Sequence, residues 1–312
     1  MADRPTLFDE VGSRHGEPNR ESNPDVDRDS DRESNPEVER DSVRESNPET
    51  ARLRLVVAYL GTNFHGLAPQ PGQRTVCGEL LQALTTTLRL GDDPPPITMS
   101  GRTDAGVHGW GQVLHIDVPA TTAVDPTRLT KSLNKMLGPE ITIREIDLAP
   151  RSFDARFSAL WRRYRYTVLT GPTPDPFLAS TAWYVPHELD LAAMRLACDP
   201  LLGEHDFSSF CRVPKGHEEP SMTRLLTHAD WIDLRAEHPL QLGLLRFEIQ
   251  ASSFCQQMVR AIVGLMIDVG RGRKRAGDIR TIIAARDRSA ASPIAPPYGL
   301  VLWQVGYPPD VQ

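Results

Sequence analysis

No run of apolar residues in this 312-residue chain approaches the roughly 20 needed for a membrane-crossing helix. The first 50 residues are too polar and acidic for a secretory or transit peptide, so the expected location is the cytoplasm, with no membrane partner. Cysteine is sparse: Cys77, Cys198, Cys211 and Cys255 lie far apart and form no C-x-x-C pair. Neither a zinc site nor a disulfide framework is expected from that spacing, but four reduced, mostly buried thiols. A G-x-G-x-x-G run after the first strand is also missing, which argues against a doubly wound nucleotide-binding sheet.

An overall excess of positive charge is lacking too, the formal net charge being -6. The deficit is local. Residues 1–50 hold 15 Asp/Glu against 7 Lys/Arg, whereas the other 262 residues hold 26 against 28. The body is thus faintly basic, and RNA binding there requires its bases to cluster on one face. Two clusters stand out: Trp161-Arg162-Arg163-Tyr164-Arg165-Tyr166, where bases alternate with aromatics, and Arg271-Gly272-Arg273-Lys274-Arg275. Each is open to two readings, an RNA-facing patch or a solvated face.

Arg-Glu-Ser-Asn-Pro recurs at 20–24, 32–36 and 44–48. The copies carry no large apolar anchor beyond a lone Val, so stacking them buries too little to offset the entropy of ordering. Residues 1–50 are therefore expected to be a disordered acidic tail. The rest, 39% hydrophobic in the whole-chain count, suffices for one large domain or for two compact halves, 51–160 and 161–312, around shared core.

Alternation in Leu53–Tyr59 predicts a strand, and Thr75 caps a predicted helix bearing Val76, Leu80, Leu84 and Leu88. Strands follow at 97–100, 112–118 and 141–147, around a helix opened by Asp125-Pro126 with Leu129, Leu133 and Met136 on one side. The second half reads as strands at 161–169, 223–234, 242–252 and 299–307, with helices at 190–202, 255–270 and 278–285. Hairpin-like strand pairs make this an α+β fold with a largely antiparallel sheet.

Between two of these strands lies Gly101-Arg102-Thr103-Asp104-Ala105-Gly106-Val107-His108. Its glycines permit sharp turns that can present an acid at a cleft. On residue type alone, Asp104 is either such an acid or the anchor of an Asx turn, and Arg102 supplies an adjacent cation. His108 and His115, seven apart with no third ligand, are expected to serve local structure and not a metal.

The run 101–108 resembles the G-R-T-D-A-G-V-H signature of the TruA family of tRNA pseudouridine synthases. Other blocks resemble that family in the same order, among them Tyr59–Gly66, Phe153–Ala159, Arg162–Tyr166, His205–Phe210, Met258–Gly264 and Ala295–Leu300, so that the likeness spans about 52–308. Two departures occur: Leu67-Ala68 follows Gly66 where the family has Trp-Gln, and Gln256-Gln257 precedes Met258 where a basic residue or His is common. The resemblance implies the pseudouridine synthase fold, two α/β halves sharing an extended mixed sheet with a central cleft. It further implies a homodimer acting on the tRNA anticodon stem-loop at uridines 38, 39 and 40, without metal or cofactor. Asp104 would be the catalytic carboxylate, as nucleophile or as base; Tyr164 would stack on the target uracil, Arg260 would pair with Asp104, and Arg102 would help hold the extruded nucleotide. The rivals are a catalytically silent tRNA-binding or RNA-chaperone protein on the same fold, and a nucleoside hydrolase, which would want a second carboxylate.

Overall fold

A computed structural model describes residues 50–212, 221–235 and 243–309. The repeat-bearing tail, expected to be disordered, lies outside the described residues apart from Thr50, which already belongs to the first strand. In β1 (Thr50–Tyr59) the alternation works as expected. Leu53, Leu55 and Val57 are fully buried, and on the reverse face Arg52 and Arg54 form ion pairs with Asp117 and Asp147.

Helix α1 (Val76–Leu88) begins where the Thr75 hydroxyl accepts the Gly78 amide at 3.2 Å. It buries Val76, Leu80 and Leu84 completely, each burial stabilising by about 1.5–3 kcal/mol. After β2 (Thr98–Met99) and β3 (His108–Pro119) comes α2 (Pro126–Leu137), capped by Asp125. Its buried stripe is Leu129, Leu133 and Leu137. Met136, expected on that side, is half exposed, because the i, i+4 spacing is completed by Leu137. β4 (Ile141–Ala149) closes this half.

The chain continues through β5 (Trp161–Thr170), β6 (Trp183–Val185), α3 (Leu191–Leu196), β7 (Gly203–Asp206), β8 (Thr223–Asp233), β9 (Gly243–Ala251), α4 (Met258–Gly270), α5 (Asp278–Ala285) and β10 (Leu300–Gly306). The helix expected over 190–202 is shorter. It stops at Leu196, and a single 3-10 turn occupies Asp199–Leu201, since Pro200 disfavours α geometry at Asp199 and offers no amide.

The ten strands form one mixed sheet, in the order β4-β1-β3-β10-β5-β9-β8-β7, with β2 against β3 and β6 against β5. Antiparallel pairing dominates. The seam between the N-terminal strands and the rest is the short parallel contact of β10 with β3, Val301 opposite His108 and Leu302 opposite Gly109. Apolar packing falls into two clusters: α1 and α2 pack with β1, β3 and β4, while α4 packs with β5, β8 and β9 in a cluster that also takes in Val56 and Val113 from the N-terminal strands. No helix among the described residues is long and apolar enough to cross a membrane.

The expectation for the cysteines fails as well. Cys211 and Cys255 are joined as a disulfide, their Cα atoms 5.7 Å apart, while Cys77 and Cys198 are free and buried, burial pushing both thiols up to about 12. The pair is 44 residues apart in sequence, and the antiparallel return of β8 along β9 brings its members together. Thiol titration of the denatured chain is expected to find two free thiols before reduction and four after; four before reduction would refute the cross-link.

Candidate active site

The Asp104 loop hangs between β2 and β3 and is fixed from several sides. Buried Gln112 holds its entrance, accepting from the Ser100 hydroxyl at 2.6 Å and donating to the Gly101 carbonyl at 3.0 Å. The Leu67 amide donates to the Thr103 carbonyl (3.2 Å) and the Gly106 amide to the Phe64 carbonyl (3.4 Å). The Thr103 hydroxyl meets Tyr59 Oη at 2.8 Å. His108 anchors the exit. Its Nδ1 accepts the Gly61 amide at 2.9 Å, so Nε2 carries the hydrogen and faces the carbonyls of Ser180 and Tyr298, each at 2.9 Å. Burial lowers the His108 pKa and keeps the ring neutral. His115 likewise accepts a backbone amide, that of Ala155.

The two loop glycines are not equivalent. Gly106 has φ +77°, and a Cβ there would stand 2.9 Å from the Pro297 side chain, whereas Gly101 has neither a positive φ nor a close neighbour. Only Gly106 is demanded by geometry. The family departure at Leu67 is accounted for as well: the side chain is fully buried in the N-terminal cluster, and its amide holds the loop. Gln256 is exposed, and its carbonyl accepts the Arg212 amide.

Asp104 faces Arg260 in the first turn of α4, Nη1 to Oδ2 being 3.6 Å. The Arg260 side chain is 11% exposed and that of Asp104 31%. Arg260 is itself aimed by its Nε–H bond to the Ala295 carbonyl at 2.8 Å. Among the described residues no backbone amide donates to the Asp104 carboxylate, so the Asx-turn reading does not hold; the local turn is made by its main chain, Val107 amide to Asp104 carbonyl at 3.1 Å.

Tyr164 of β5 completes the group. Its ring is 8% exposed and packs edge-on against Phe254 at 5.1 Å. Burial pushes its phenol up to about 12, with the nearby Asp104 charge acting in the same direction. Near neutral pH it is an uncharged ring, not a phenolate. Arg102 projects outward, exposed and with no ion pair or hydrogen bond from its side chain among the described residues. Thus the structure brings Asp104, Arg260 and Tyr164 together and leaves Arg102 at the rim. Phe254 and Ala295 were not foreseen, since neither type signals its role in sequence.

The basic runs divide. In β5, Arg162, Tyr164 and Tyr166 share one face, while Arg163 and Arg165 turn to the other. There Arg165 lies 3.6 Å over the Trp303 ring and pairs with Glu248, and Arg163 binds Gln250. That reverse face also carries a shallow cavity of about 290 Å³ lined by Trp110, Trp303 and His108, none of the Asp104 group among its walls. The run at 271–275 follows the far end of α4, about 16 Å along the helix from Arg260.

A carboxylate paired with a largely buried guanidinium, with a tyrosine ring close by, makes this the candidate site on the α+β sheet. A family model described as tRNA pseudouridine synthase matches residues 197–308, a stretch that includes Arg260 and not Asp104. Over the greater length, the chain is 40% identical to the tRNA pseudouridine synthase A of Leifsonia xyli, covering 84% of this chain and 93% of that protein. It is 37% identical to the protein of that name from Bacillus subtilis (82% and 99%) and 41% identical to that of Frankia casuarinae (83% and 90%). The chain belongs to the tRNA pseudouridine synthase A family.

Proposed function

We propose that the chain isomerises uridine to pseudouridine at positions 38, 39 and 40 of the tRNA anticodon stem-loop, with Asp104 as the catalytic carboxylate. As a family member it is an isomerase, a tRNA pseudouridine synthase. The observation that carries the assignment of Asp104 is its ion pair with Arg260 beside Tyr164. The reaction breaks the bond between uracil N1 and ribose C1′, turns the base and joins C5 to C1′, C5 giving up its hydrogen as a proton and N1 taking a proton up, with no net change of oxidation state. It needs an ionised oxygen near the ribose, as nucleophile or base. Arg260 places a cation 3.6 Å from that oxygen, and Tyr164 offers a ring face worth about 1–3 kcal/mol of base stacking. Exposed Arg102 suits a phosphate beside the extruded nucleotide.

The same reading gives two halves, 51–160 supplying Asp104 and 161–312 supplying Tyr164 and Arg260, in a cytoplasmic homodimer whose basic residues meet the tRNA backbone. The test is a pseudouridine-specific chemical readout on tRNA incubated with the purified chain, alongside an assay for free uracil. Signal confined to positions 38–40 with no free base is expected. Free uracil would indicate a hydrolase, and tRNA binding with neither product a silent binding protein.

A further inference from the structure

Arg162, the second residue of β5, has its guanidinium where the segments carrying the site converge. Nη2 donates to the carbonyls of Ser100 (2.7 Å) and Arg156 (2.8 Å), Nη1 to those of Ala159 (3.1 Å) and Ser252 (2.9 Å), and Nε to Ser100 again (3.3 Å). Every acceptor is a main-chain carbonyl. The ionisable groups that act on it are Tyr307, Tyr164 and Arg156, with no carboxylate among them. A mostly buried cation with no acid beside it is costly unless its donors are met. Here the planar fork of N–H groups meets them all, a geometry that a flexible ammonium does not reproduce.

The carbonyls it holds matter for where they lie. Ser100 is the residue before the Asp104 loop, and its own amide and hydroxyl are bound by β3. Ser252 stands two residues before Phe254, whose ring abuts Tyr164, on the segment that leads into α4 and Arg260. Tyr164 follows Arg162 by two along the same strand face. One side chain therefore spans the support of all three groups.

We propose that Arg162 is a positioning residue for pseudouridine formation, fixing the Asp104 loop against the Phe254–Arg260 segment through the carbonyls of Ser100 and Ser252. This rests on the reading of Asp104 as the catalytic carboxylate. Arg162 touches no reacting atom. Its contribution is the spacing between a carboxylate, its counter-ion and a stacking ring, so its loss should slow the chemical step and spare the encounter with tRNA.

The experiment compares Arg162→Lys, Arg162→Ala and Asp104→Asn with the unaltered protein in steady-state pseudouridylation of tRNA, with thermal melting of each. Arg162→Lys keeps the charge and loses the fork. It is expected to stay folded and to lose about 100-fold in kcat, the scale of a misplacement near 1 Å, with KM for tRNA within about threefold. Arg162→Ala should be at least as slow and melt lower. A lysine variant working at more than about a third of the original kcat, or one whose loss lies in KM alone, overturns the proposal. If neither Arg162 variant folds, the residue is a structural clamp and the proposal likewise fails. Asp104→Asn separates the two ideas: should it remain active, the carboxylate reading fails, whereas an inactive Asp104→Asn beside an active Arg162→Lys condemns the positioning role alone.

Discussion

Asp104→Asn is expected to abolish pseudouridine formation while leaving tRNA binding within about tenfold of the unaltered protein. The amide preserves the shape and one carbonyl acceptor, and the loop does not depend on the carboxylate for its form. Its turn is closed by the Asp104 main-chain carbonyl, and its supports are Gln112, Leu67, Thr103 and His108. Arg260 keeps its bond to the Ala295 carbonyl when the negative charge goes. Folding should thus suffer little, while either chemical route loses the ionised oxygen it needs, a change that costs several orders of magnitude in rate when a nucleophile or essential base is removed. Single-turnover assays on tRNA, with melting and filter binding on the same preparation, measure the three quantities separately. A folded variant that turns over at more than about a tenth of the original rate, an effect below roughly 1.4 kcal/mol, would strip Asp104 of its role.

Much of the scaffold was legible because its signals are local. Leu53-Arg54-Leu55 alternates with the strand period, Thr75 and Asp125 are capping residues placed one position ahead of helices with apolar stripes, and each produced the expected element. Apart from the helix over 190–202, which Pro200 shortens locally, the failures share a cause. Whether Met136 or Leu137 is buried depends on which flank of α2 meets β4, and whether Cys211 meets Cys255 depends on the path of two intervening strands. Nothing within a short window of sequence records such tertiary choices.

The site was legible to a different depth. Composition and spacing left Asp104 as one of two things, and only the likeness to a family distinguished them; Arg260, 156 positions away, carried no sequence mark of facing it. The aromatic-basic run in β5 shows the limit most clearly. Read as a string it is one RNA-like patch, yet the strand period sends Arg162 and Tyr164 toward Asp104 and Arg163 and Arg165 to the opposite face. Half of an apparent binding motif is thereby committed to holding the sheet, and Arg162 is spent on carbonyls instead of phosphates.

Arg260→Met should cost both stability and rate, and the two losses should respond differently to the state of Asp104. At 3.6 Å the gross attraction of the pair is about 4–5 kcal/mol for an effective dielectric of ~20. Asp104 keeps about a third of its exposure, so water compensates part of the loss, and a net destabilisation of about 1–2 kcal/mol is expected. Methionine fills much of the same volume, which limits any cavity contribution. Pseudouridine formation should fall on the order of 10²–10³-fold, the range seen when one preorganised charge-stabilising donor is removed. The decisive measurement is a double-mutant cycle followed by urea unfolding. If Arg260 stabilises the fold through the Asp104 charge, Arg260→Met made in the Asp104→Asn background should cost less than about half of what it costs alone, because no carboxylate is left unpaired. Equal costs in the two backgrounds would mean that Arg260 supports the fold only through the Ala295 carbonyl, and that the ion pair at the centre of the site contributes nothing to holding it together.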